Sequence, residues 1–146
     1  SMLLNLVGSS NSDSKEILWK FINKFHKEIK PQDHPVLDSL TEYAINYFKD
    51  KVEPNKKFKI PNETEKKALN NLVTKLKELD QKLKPEDIQT IIYSVGKENG
   101  YTKNLRDWFK LIYQVVFGEE DGPRMGYFVS FFGLKETIEL INDKIN

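Results

Sequence analysis

The feature that most restricts this chain is a run of leucines. Leu69, Leu72, Leu76, Leu79 and Leu83 recur at alternating steps of three and four. That spacing returns to one side of an α-helix on every turn, whereas a strand would scatter the same residues over both faces. The run therefore predicts a helix opening after Pro61 and Asn62, with a heptad-like seam that wants a partner helix.

The same periodicity, read with its punctuation, gives six or seven helices and no stretch that alternates cleanly enough for a strand. Asn11, Ser12 and Asp13 supply caps for a helix with an apolar face of Ile17, Leu18, Phe21, Ile22 and Phe25, ending before Pro31. Pro35 opens a second that buries Val36, Leu37, Leu40, Tyr43, Ala44, Tyr47 and Phe48. Pro85 opens another, with Ile88, Ile91, Ile92 and Val95 inward and Gly96 or Gly100 as its stop. Asn104 caps the next, which carries Leu105, Trp108, Ile112 and Val115 and ends at Gly118. A short apolar helix from about Pro123 to Phe132 is separated by Gly133 from a last one carrying Ile138, Ile141 and Ile145.

The expected fold class is thus all-α, a helical bundle forming a single domain over residues 1–146, with sub-bundles 1–60 and 61–146 as its internal division. Lys51 to Pro61 is the one linker-like stretch, and the opening Met2 to Val7 run reads as the tail of something larger, too short to hold a helix alone. A chain of 146 residues buries roughly 70% of its unfolded surface, so neither disulfide nor metal is needed to hold it.

Cysteine is absent, which excludes disulfides, thiolate zinc sites and a cysteine nucleophile and fits a reducing compartment; the cytoplasm is expected. The longest apolar stretches, such as Tyr127 to Leu134, fall far short of the roughly 20 residues of a membrane span. With 23 basic and 22 acidic residues the formal charge is +1, so any contact with a polyanion must be local.

Chemistry of an enzyme's kind finds little support. His26 and His34 lack the spacing of metal ligands, and the run Glu119, Glu120, Asp121 reads as a solvated turn rather than an acid and base pair. No nucleophile elbow or phosphate-cradling glycine loop occurs. No catalytic, metal or cofactor residue is therefore assigned.

Three places combine cations with aromatics, as a reader of unpaired bases requires in order to neutralise phosphates and stack rings. The first is the loop of Lys51, Lys56, Lys57, Phe58 and Lys59, against which stands an ordinary solvated loop. The second groups Tyr101, Lys103, Arg106, Trp108 and Lys110; Arg106 and Lys110 lie four apart and share a helix face, while Trp108 falls on the apolar stripe and is more often core than platform. The third is Gly122-Pro123-Arg124-Met125-Gly126-Tyr127-Phe128, where free N–H groups and the Arg124 guanidinium could hold an anion, or where the glycines simply let helices pack closely.

Taken in order, several of these segments resemble the C-terminal anticodon-binding region of class I lysyl-tRNA synthetases, nearly end to end. The residues concerned are Met2-Leu3-Leu4-Asn5-Leu6, Leu18-Trp19-x-Phe21-Ile22, His34-Pro35 with Leu37, Tyr47-x-x-Asp50-x-Val52-x-Pro54, Tyr93-x-Val95-Gly96-Lys97, Trp108-Phe109-x-x-Ile112-Tyr113 and Gly122-Pro123-Arg124-x-Gly126-x-Phe128-Val129, closing at Phe132-Gly133. The resemblance implies the α-helix cage of a class I aminoacyl-tRNA synthetase, holding the anticodon arm of lysine tRNA for a Rossmann catalytic domain upstream. It implies that ATP and magnesium belong to that upstream domain, that the segment itself is a non-catalytic monomer, and that no membrane is involved. Arg124, Tyr127, Arg106, Lys110, Trp108, Lys56, Lys57, Phe58 and Lys59 are the residues expected to meet the RNA. Two positions depart from the pattern: Lys59 stands where an arginine is expected before Pro61, and Tyr127 follows Gly126 where a small residue is usual. A helical protein-interaction module is the competing reading, supported by the near-zero charge and the leucine seam.

Overall fold

The computed structural model describes residues 5, 8, 9 and 14–146, which form two compact units, Ser1–Lys56 and Lys57–Asn146. The described residues hold seven α-helices and no strand, the all-α architecture expected. The caps assigned to Asn11, Ser12 and Asp13, the Met2 to Val7 run apart from Asn5, and the side chain of Phe25 lie outside the described residues.

In the first unit, α1 (Ser14–Phe25) and α2 (Pro35–Tyr47) are joined through a short 3-10 turn at Pro31–Asp33, and α2 runs on into a wider turn over Phe48–Val52. Among the described residues, buried Leu18 and Phe48 form a core cluster, with Ala44, Ile45 and Val52 packed against it. Polar contacts tie the two helices beside it. The indole N–H of Trp19 donates to Asp38 Oδ1 at 2.9 Å, and Lys15 Nζ meets Asp38 Oδ2 at 2.8 Å. The Lys15 hydrogen bond holds the Asp38 carboxyl below its ordinary value, with partial burial opposing and the Trp19 bond adding to it.

The expected inner face of α2 is corrected here. Val36, Leu40, Tyr43 and Tyr47 are 75%, 58%, 69% and 48% exposed, whereas Thr41 and Phe48 are buried and Leu37 and Ala44 half-buried. These exposed residues follow steps of four, three and four, one continuous stripe, and the buried line through Thr41, Ile45 and Phe48 lies about a third of a turn round the helix. Leu18 selects that second line because it forms one buried cluster with Phe48, against which Ile45 packs.

The second unit contains α3 (Glu63–Lys77), α4 (Pro85–Gly96), α5 (Leu105–Val116), α6 (Met125–Phe132) and α7 (Leu134–Ile145). Asn62 and Glu65 start α3 with a reciprocal cap: the Glu65 N–H donates to Asn62 Oδ1 at 2.8 Å, and the Asn62 N–H donates to Glu65 Oε1 at 3.0 Å. The leucine seam is only partly helical. Leu69, Leu72 and Leu76 are buried, and α3 packs along α7, but the helix ends at Lys77, and Leu79 and Leu83 fall in the turn beyond. Asp80 is the local cause: its carboxylate accepts the Lys82 N–H at 2.8 Å and its carbonyl the Leu83 N–H at 3.1 Å, a side-chain turn that competes with helix. The partner that the seam required is thus supplied within the same unit.

α4 packs most extensively on α6. Gly126 allows the approach, since a Cβ there would collide with the Pro85 carbonyl oxygen and the backbone of Gln89. Gln89, itself buried, reaches across to accept the Gly126 N–H at 2.6 Å. Of the two expected stops for α4, Gly100 has the left-handed conformation (φ +95°), in the wider turn Lys97–Tyr101, while Gly96 is helical and lies against the Trp108 ring. An aromatic ladder continues the core from Phe109 through Tyr113, Phe117 and Phe128 to Phe132, with neighbouring centroids between 4.9 and 6.4 Å apart.

Candidate nucleic-acid interface

The basic loop divides between the two units. Lys56 belongs to the first, where its ammonium lies 5.3 Å from the Phe48 ring centroid and donates to Asn5 Oδ1 at 3.3 Å. Lys57, Phe58 and Lys59 belong to the second, pinned as an extended strip by two backbone bonds: Lys57 N–H to the Gly118 carbonyl at 2.9 Å and Lys59 N–H to that of Gln114 at 3.0 Å. Phe58 is 48% exposed and carries the Lys144 ammonium 3.9 Å from its ring centroid, so one face already holds a cation.

Lys59 reaches a concavity within this unit. It lines a cleft of about 340 Å³ with Glu65, Tyr101, Asp107, Lys110 and Gln114, which come from the strip, α3, the turn after α4, and α5. That volume is near the lower end for small-ligand pockets, ~300 Å³. Its polar groups are unequally engaged. Lys59 Nζ is paired with Glu65 Oε2 at 2.7 Å. Burial opposes ionisation of Glu65, yet the Lys59 hydrogen bond and the Asn62 N–H outweigh it and hold the carboxyl below its ordinary value. Lys110 has a looser partner, Glu120 at 3.8 Å, and Asp107 Oδ2 accepts from Asn104 Nδ2 at 2.8 Å. The Tyr101 hydroxyl and the Gln114 side-chain amide have no hydrogen-bond partner among the described residues. Burial raises Tyr101 above the ordinary phenol value, so it stays a neutral donor and acceptor at physiological pH.

Trp108, named from the sequence as an RNA contact, is a core residue. It is 0% exposed, its indole N–H donates to the Ile92 carbonyl at 3.0 Å, and one side of its ring faces Gly96. No base can reach it. It does stiffen the cleft, since the Tyr101 ring rests on it with centroids 5.3 Å apart.

At the start of α6 the glycines serve close packing. The Gly126 N–H is occupied by Gln89, those of Tyr127 and Phe128 return to the Arg124 carbonyl, and Gly122 lies against the Tyr113 ring. The Tyr113 hydroxyl donates to the Pro123 carbonyl at 2.9 Å, which fixes the turn. Tyr127 donates to Glu86 Oε1 at 2.6 Å; this bond raises the phenol above its ordinary value and lowers the Glu86 carboxyl. Arg124 projects exposed beside them with no ion-pair partner among the described residues, and Arg106, Lys57 and Lys103 are likewise exposed and unpaired. Three contributions to this surface had no sequence signal: Lys144 over Phe58, Glu86 under Tyr127, and Gln114 in the cleft, each brought in from a distant segment. Among the described residues no group of three or more His, Cys, Asp or Glu could hold a metal ion, and no helix is long and apolar enough to cross a membrane.

The second unit is an all-helical body with exposed cations and a polar cleft, and sequence comparison says what the chain is similar to. Over 99% of its length the chain is 41% identical to part of the lysine–tRNA ligase of Rickettsia bellii, and at the same coverage 38% and 37% identical to those of Rickettsia felis and Rickettsia prowazekii. The chain spans about 28% of the length of these curated relatives. It is thus homologous, almost end to end, to one segment of lysine–tRNA ligases. No family model and no solved structure matches it.

Proposed function

We propose that this segment grips the anticodon arm of lysine tRNA within a class I lysine–tRNA ligase. Support comes above all from the exposed, unpaired cations of the second unit, Arg106, Arg124, Lys57 and Lys103, in a chain homologous to tRNA ligases. Phosphates of the arm pair with these cations, and unpaired bases stack on Phe58 or Tyr127 and enter the cleft at Lys59 and Lys110. With a net charge of +1 the attraction is short-ranged, so binding is local and strongly salt-dependent. ATP and magnesium act elsewhere in the ligase, the catalytic domain being the segment's other partner. The segment itself is a cytoplasmic monomer, its leucine seam being closed by α7.

Titration at low salt with lysine tRNA and with the same tRNA carrying another anticodon tests this. At least tenfold tighter binding of the first is expected, and equal affinity would overturn the reading.

A protein-interaction module keeps one specific support, now shifted from the seam to the stripe of Val36, Leu40, Tyr43 and Tyr47 on α2. On that reading a partner protein, rather than tRNA, binds the first unit.

A further inference from the structure

Asn99 and Gly100 form the chain's only Asn-Gly pair, and the fold sets it in the wider turn Lys97–Tyr101 between α4 and α5. Glycine hinders the backbone nitrogen after an asparagine least, and here Gly100 is exposed, with open space where a Cβ would stand. The Asn99 side chain, by contrast, is held at both ends. Its Nδ2 donates to the Val95 carbonyl at 2.8 Å, and its Oδ1 accepts from Asn71 Nδ2 at 2.7 Å, which ties the turn to α3. The backbone adds a third restraint. Attack by the Gly100 nitrogen on the Asn99 side-chain carbon needs that nitrogen eclipsed with Cβ about the Cα–C bond, and at ψ +24° the two are far from it.

We infer that Asn99 is a latent deamidation site, closed by Asn71 and Val95 in the folded turn and opened when the turn comes loose. The chemistry needs only water and hydroxide. Once the Gly100 N–H has given its proton to hydroxide, the nitrogen bonds to the Asn99 side-chain carbonyl carbon, the C–Nδ2 bond breaks, and ammonia leaves with a proton from water. Water then opens the resulting cyclic imide at one of its two carbonyls. One product is an aspartate at position 99, and the other is an isoaspartate, in which the chain runs through the former side chain. Neither restores the turn. A carboxylate has no proton for the Val95 carbonyl and sets oxygen against oxygen there. The isoaspartate also lengthens the backbone by a methylene just before Gly100, whose φ of +95° makes the turn. Tyr101 follows at once: its ring rests on that of Trp108, with centroids 5.3 Å apart, and it lines the cleft with Lys59 and Lys110. Conversion is therefore irreversible and loosens one wall of the cleft, so the pair works as a clock that counts openings of this turn.

The test holds the 146-residue chain in mildly alkaline buffer with and without urea and follows conversion at Asn99 by peptide mass spectrometry. Urea should speed it at least tenfold, since the unfolded chain lacks every restraint. Asn71→Ala should speed the native reaction at least threefold and leave the rate in urea within twofold. Asn71 is exposed within α3, where alanine is the better helix former, so this variant removes the tie without weakening the helix. Hydrogen exchange checks this: protection over residues 105–116 should be unchanged, and a general loss there would assign the faster conversion to the unit's stability and overturn the lock. Asn99→Asp, which reproduces one product, should lose at least tenfold in protection over residues 97–103 alone. Equal rates with and without urea, an Asn71→Ala rate equal to that of the wild type, or unchanged protection in Asn99→Asp would each overturn the inference.

Discussion

The two units spend their apolar residues differently. The second closes on itself: Trp108, Phe117, Phe128, Ile92, Ile112 and Ile141 are all but inaccessible, and its helices are locked by Gly126 and by aromatic rings in edge and stacked contact. The first buries Leu18, Trp19 and Phe48 and leaves a whole stripe of α2 in solvent. A close-packed unit can hold a cleft to fixed dimensions, and a continuous apolar stripe on an outer face offers a surface for contact. That contrast makes substitutions in the two units inequivalent.

The largest effect should come from Trp108→Ala, which empties the centre of the second unit and removes the indole hydrogen bond to the Ile92 carbonyl. A loss of about 3 to 5 kcal/mol is expected in chemical denaturation. Leu18→Ala in the first unit should cost about 2 kcal/mol, the low end for a buried leucine, because its surroundings can collapse around Phe48. If Leu18→Ala proved as costly as Trp108→Ala, the first unit would have a core equal to the second and the contrast would fail.

Glu65→Ala removes the reciprocal half of the α3 cap and the Lys59 pair, and should cost about 1 kcal/mol near neutrality. Its sign with pH follows from the depressed carboxyl. The stabilisation is whole above the ordinary value of 4.5 and is lost as pH falls through the lower folded value, so wild type and variant should converge in stability once pH is below that folded value. The smallest effect belongs to the stripe: Leu40→Glu should change stability by less than about 0.5 kcal/mol, since the side chain is 58% exposed. A larger loss would show that something covers α2.

Much of this was legible in the sequence because punctuation is local. Asn62, Pro85, Asn104 and Gly133 mark helix ends where the structure has them. The face of α2 was not legible, because Val36, Leu37, Leu40, Tyr43, Ala44, Ile45, Tyr47 and Phe48 spread apolar groups over more than half of the circumference, so the pattern does not choose a side within that arc; packing with Leu18 chooses it. The leucine seam was overread for a related reason, since Asp80 outweighs the period of Leu79 and Leu83 through two short bonds. Of the cleft, Lys59 and Lys110 were visible as cations near aromatics, but Glu65, Asp107 and Gln114 join them only through tertiary packing.

Hydrogen exchange on the chain with and without an anticodon stem-loop of lysine tRNA tests RNA binding by the second unit most directly. Added protection should fall on residues 57–59, 101–114 and 124–127, with α2 unchanged. Protection confined to residues 35–47, or none anywhere, would contradict it.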